Sequence, residues 1–142
     1  MANKSVLYSI FDDLVEAVSP IVGKKYVFLG NRPKITDGEK PMSKFIVVSL
    51  PVSITDYVAG KKKTLLNTTG VFYLFTQARS NNTLDIGATG DFEDDVEDLF
   101  PIKGKYITAS KPVVRMTGSD GSGYQVVTVT FEIQSKWKVF SK

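Results

Sequence analysis

A chain of 142 residues that is 42% apolar and 11% aromatic has material for one domain with a real core and little for a second. It contains neither cysteine nor histidine. That excludes disulfides, thiolate chemistry, Ser-His and Cys-His nucleophile pairs, histidine bases and the usual zinc sites. Formal net charge is +3, yet six of the fifteen acids lie between Asp91 and Asp98, so the rest of the chain is distinctly basic.

Catalysis would have to rely on Asp, Glu, Lys, Tyr or a hard oxygen-ligated cation, and the reading is of a non-enzymatic protein without a cofactor. No apolar run approaches the roughly 20 residues of a bilayer crossing, and Asp12, Asp13 and Glu16 interrupt the N-terminal stretch where a secretory signal would stay apolar. Two glycosylation sequons, at Asn67 and Asn81, are given no role without an export signal.

From Asn3 to Ser19, Leu7, Ile10, Phe11, Leu14 and Val18 recur at intervals of three and four. This spacing predicts an amphipathic helix stopped by Pro20, with Asp12, Asp13 and Glu16 on its other face. Lys24 to Gly30 forms a short strand candidate, and the proline-bearing segment Asn31 to Ser43 reads as an exposed loop. Lys44 to Leu50 is apolar at both alternating sets, as expected of a central strand covered on both sides. Beyond Pro51 the chain continues as an edge or protruding arm. Gly60 to Gly70, with Lys61, Lys62 and Lys63 together, reads as a loop or the tip of a long hairpin. Val71 to Arg79 is a further covered strand.

The stretch "DFEDDVEDLF" predicts a short helix with Asp91 as its N-cap. Phe92, Val96 and Leu99 would share its docking stripe, and the acids would diverge over the remaining arc until Pro101 stops the helix. A C-terminal hairpin follows. Its outgoing strand runs to Thr117, the glycine-rich turn spans Gly118 to Gly123, and the return strand begins at Tyr124. In the return strand Val127, Val129, Phe131, Ile133, Trp137 and Val139 share one parity, against Thr128, Thr130, Glu132, Gln134 and Lys138 on the other. One face is therefore core, and the other is wet or faces a neighbour.

The expected fold is α+β, with a mainly antiparallel sheet, the N-terminal helix and the short acidic helix on one face, and a C-terminal β-hairpin. Residues 1–142 form a single domain in this reading, with exposed loops or arms at about 31–43 and 54–69.

Several constellations compete for a function. A divalent cation on the acidic helix is disfavoured, because calcium loops present their ligands from irregular backbone around a glycine. "GATGD", Gly87 to Asp91, is no phosphate cradle with six carboxylates behind it. The basic remainder raises nucleic-acid binding as the alternative, although its lysines are scattered and lack interleaved aromatics. A third reading joins the two charges: an acidic helix and a basic loop on one chain are complementary, and such patches pair head to tail into a ring if the rotation closes.

The element order resembles that of the tail terminator or tail completion proteins of tailed bacteriophages, and more loosely other ring-forming head-to-tail connector proteins. The resemblance rests on a helix ending near "VSPIVGKKYVFLG", a proline-bearing loop, "KFIVVSL", a long loop, "VFYLFTQA", an acidic helix, and a closing strand of the type "YQVVTVTFEIQSKW". It implies a virion component whose subunits form a homo-oligomeric ring, commonly of six, at the head-tail junction or the top of the tail. Self, other tail or connector proteins and DNA passing through the ring are then the partners, and no membrane is involved. In that family long loops and strand arms reach neighbouring subunits, and Asn31 to Ser43 and Ile54 to Thr69 match them in order. The second helix, about three turns by its pattern, is shorter than relatives often have. The residues expected at the subunit interface are Lys61, Lys62 and Lys63 on one side and Asp91, Glu93, Asp94, Glu97 and Asp98 on the other.

Overall fold

The computed structural model describes residues 6–30, 43–49, 56–57, 66–78, 84–119 and 123–135. Helix α1 (Val6–Val22) is followed by a 3-10 turn (Lys24–Tyr26) and the short strand β1 (Val27–Leu29). Then come β2 (Lys44–Ser49), β3 (Asp56–Tyr57), β4 (Leu66–Gln77), helix α2 (Ile86–Glu97), β5 (Ile102–Lys103), β6 (Ile107–Ser119) and β7 (Tyr124–Ser135). The sheet order is β1-β2-β4-β7-β6-β5, with β3 pairing onto β4. Among the described strands, the β1–β2 pair is parallel and the others are antiparallel. The fold is α+β, as the sequence pattern implies.

Alternation decides which residues are buried. Ile46 and Val48 of β2, Phe72 and Leu74 of β4, and Val127, Val129, Phe131 and Ile133 of β7 line one face. There they meet Ile10, Leu14 and Val18 of α1 and Phe92 and Val96 of α2. Both helices thus cover the same face of the sheet. The opposite parity of β2, β4 and the start of β7 forms a second buried cluster from Phe45, Val47, Phe75, Tyr124 and Val126, in which the Phe45 and Phe75 rings stack at 4.5 Å. This is the two-sided cover expected for β2, although β2 lies second from the β1 edge while β4 and β7 hold the centre. Trp137 and Val139 lie outside the described residues.

Three boundaries and the course of β6 differ from expectation. Helix α1 runs through Pro20, because a proline in the last turn forgoes only the bond to the Glu16 carbonyl. The helix closes at Gly23, whose N–H donates to Ser19 O at 2.7 Å and whose φ of 88° turns the chain out of the helix. Lys24 to Tyr26 coil into the 3-10 turn, so β1 begins only at Val27. β4 begins at Leu66, before the expected loop ends, because β3 and β7 pair with its first residues. In β6, Pro112 falls in a register shift between Ser110 and Val113, where Lys111 adopts φ 58°; the bulge accommodates a residue that cannot donate to the ladder.

Asp13 also departs from expectation. It sits beside the Ile10–Leu14 stripe, is 6% exposed, and accepts N–H bonds from Lys105 (3.1 Å), Tyr106 (2.6 Å) and Ile107 (2.9 Å). The carboxylate therefore ties α1 to the turn between β5 and β6, where no ladder bond satisfies those donors.

Candidate subunit-contact surface

Helix α2 begins at Ile86, six residues earlier than the start after an Asp91 cap read from the sequence. Its cap is Asp85, whose Oδ1 accepts the Ala88 N–H at 3.1 Å. Gly87 and Gly90, read from sequence as leading into the helix, lie inside it. Thr89, Phe92 and Val96 face the sheet, and Lys44 places its ammonium 5.2 Å from the Phe92 ring centre.

The earlier start changes the electrostatics. Asp91 is mid-helix instead of an N-cap, and there is neither an acid in the first turn nor a base in the last. Asp94, Asp95, Glu97 and the C-cap Asp98 gather at the end where the carbonyl dipoles are negative. Each is unfavourable there by roughly 0.3–1 kcal/mol at an exposed site. Asp91, Asp94, Glu97 and Asp98 are exposed, and Glu93 is partly covered. The structure therefore brings the five acidic interface candidates together on one solvent-facing helix. Lys61, Lys62 and Lys63 lie outside the described residues.

The acids do not all diverge. Glu93, Asp94 and Glu97 bring carboxylate oxygens within 4.8 Å of one another. Partial burial, the Glu97 charge and contact with Asp94 push Glu93 up from its ordinary 4.5 to about 7. Near neutral pH Glu93 is thus partly protonated, which lowers the charge of the cluster.

The sign for stability follows from linkage. Between pH 4.5 and about 7 the folded chain binds more protons at Glu93 than the unfolded chain. This stabilising contribution is complete below pH 4.5 and is lost as the pH rises through about 7. Glu93→Gln is expected to raise Tm at pH 8 and to leave it nearly unchanged at pH 4.5. Equal shifts at both pH values in a thermal melt would contradict the clustering.

A second charged surface is not evident from the sequence. Lys103 pairs with Thr108 and Thr108 with Gln134, while Arg115 pairs with Thr128. Lys103 and Arg115 therefore lie on the sheet face away from the helices. Lys111 joins them, with its Nζ 3.6 Å from Glu132 Oε2. Sequence spacing hides this group, because two register shifts in β6 alter the parity.

No family model matches the sequence, and no curated protein does. Among solved structures, a protein without a descriptive name superposes with a TM-score of 0.58 at 10% identity, over 92% of this chain and 93% of its own. That similarity supports the fold alone. Among the described residues, no helix is long and apolar enough to cross a membrane.

Proposed function

We propose that this protein is a non-enzymatic structural subunit that assembles head to tail into an oligomeric ring, of the tail-terminator or connector type found at a phage head-tail junction. The observation that carries the reading is α2, a helix whose exposed carboxylates gather at the end where its own dipole opposes them. Local rules are broken most often where a surface has another task. A basic surface of a neighbouring copy would offset both the dipole and the crowding. The α+β fold, with two helices on one face of an antiparallel sheet, fits the element order of that family. On this reading the protein belongs to the virion tail or neck, its partners are further copies and adjoining tail or connector proteins, and DNA passes through the ring.

The test is charge reversal on α2. Asp94→Lys with Asp98→Lys is expected to leave a folded monomer of 15.7 kDa chains and to weaken assembly at least tenfold. Both sites are exposed, so folding should be spared. Assembly equal to that of the unaltered protein would remove α2 from the contact.

A further inference from the structure

The sheet is covered unequally. One face lies under α1 and α2, whereas on the other, among the described residues, no element covers the β6–β7 pair beyond the buried Tyr124 and Val126, and Val113 (54%) and Arg115 are exposed beside the part-covered Thr128 and Thr130. Along its outer edge β6 meets β5 only at Thr108 and Ala109 among the described residues. Strand addition fits this edge poorly. The bulges at Ser110/Val113 and Met116/Gly118 and the positive φ of Lys111 interrupt the ladder. Two β6 edges side by side would also bring Lys111 and Arg115 against their own copies. Among the described residues, strand register and the Lys111–Glu132 pair place Lys103, Lys111 and Arg115 on the face away from the helices against Glu132 and, at the far end of the row through Thr108, Gln134 and Asn67, Asp56, a small positive balance that suits an acidic occupant.

Helix α2 supplies one. Its outward arc carries Gly87 and Gly90 between Ile86, which is 73% exposed, and the carboxylates. Glycine weakens a helix interior, and among the described residues nothing packs closely on either. A Cβ at Gly90 would meet nothing within 4 Å, and one at Gly87 only Asp85 Oδ1 at 3.8 Å. A flat glycine surface beside acids lets a second backbone approach closely. We propose that α2 of one copy seats on the bare β6–β7 face of the next, with Gly87 and Gly90 toward Val113 and the acids toward Lys103, Lys111 and Arg115. This inference rests on the ring reading and names the basic half of its contact. The helix-covered face of each copy then packs on the uncovered face of its neighbour, a heterologous contact that repeats around a ring.

The test joins zero-length carbodiimide cross-linking of an equal mixture of unlabelled and 15N-labelled protein with the variant Gly90→Leu. The expected links are between chains and join α2 carboxylates to Lys103 or Lys111. Gly90→Leu is expected to raise the Tm of the monomer while weakening assembly at least tenfold, a combination that simple misfolding cannot give. Inter-chain links only at other lysines, such as Lys61 to Lys63, with Gly90→Leu assembling normally, would overturn this contact and leave the ring intact. A wild-type chain that neither assembles nor cross-links at any concentration would overturn both. Salt-sensitive binding of single-stranded DNA by an unassembled chain, lost on Lys111→Glu with Arg115→Glu, would do the same and assign the face to nucleic acid.

Discussion

Asp13→Ala is expected to destabilise the fold by about 3 kcal/mol or more, lowering Tm by roughly 10 °C. Three backbone N–H groups, of Lys105, Tyr106 and Ile107, converge on this one carboxylate at the junction of α1 with the β5–β6 turn. Removing it leaves the buried Ile107 donor and two part-buried donors without their acceptor. Gly104 is part of the same arrangement. A Cβ there would sit 2.5 Å from Asp13 Cγ and Oδ2, so the turn is glycine because the carboxylate occupies the space. Gly104→Ala should therefore be costly in the natural chain and nearly neutral in Asp13→Ala. A double-mutant cycle by urea denaturation reads that coupling. A loss below about 1 kcal/mol for Asp13→Ala would show that these bonds do not hold the helix to the sheet.

The second large effect is expected at Phe131. Its ring lies 4.6 Å from that of Phe72 and 5.2 Å from that of Phe100, under the helices. It also fills the space over its cross-strand partner Gly70, where a Cβ would come within 2.6 Å of the ring. Truncation to alanine should cost about 4 kcal/mol through lost burial and the cavity left behind. Gly70→Ala alone should cost about 2 kcal/mol through overpacking. The pair should cost clearly less than the two together, because the new methyl enters space that the ring has vacated. Additivity in the same denaturation experiment would place the ring elsewhere.

The sequence revealed elements whose pattern is uninterrupted. Val127 to Ile133 alternate without a break and predicted the buried face of β7, and the double apolar register of Lys44 to Ser49 predicted burial on both sides of β2. The start of α2 was hidden because Gly87 and Gly90 depress helix propensity, although Asp85 three residues before Ala88 was a legible cap. Charge alone places Asp13 on the wet face of the helix. Its position beside Ile10, Leu14 and Ala17, all packed in the core, was the available signal of burial, but its backbone partners lie more than ninety residues away. β5 spans two residues, too short for any periodicity to announce. Of the proposed contact surface, the acidic half is a run along one helix. The basic half is divided between β5 and β6 and is assembled only by strand register.

The central claim, that the chain assembles through complementary charge, is tested most directly by native mass over a concentration series at low and high salt. The account predicts a discrete multiple of 15.7 kDa at low salt that dissociates as the salt is raised. A monomer under every condition would contradict it.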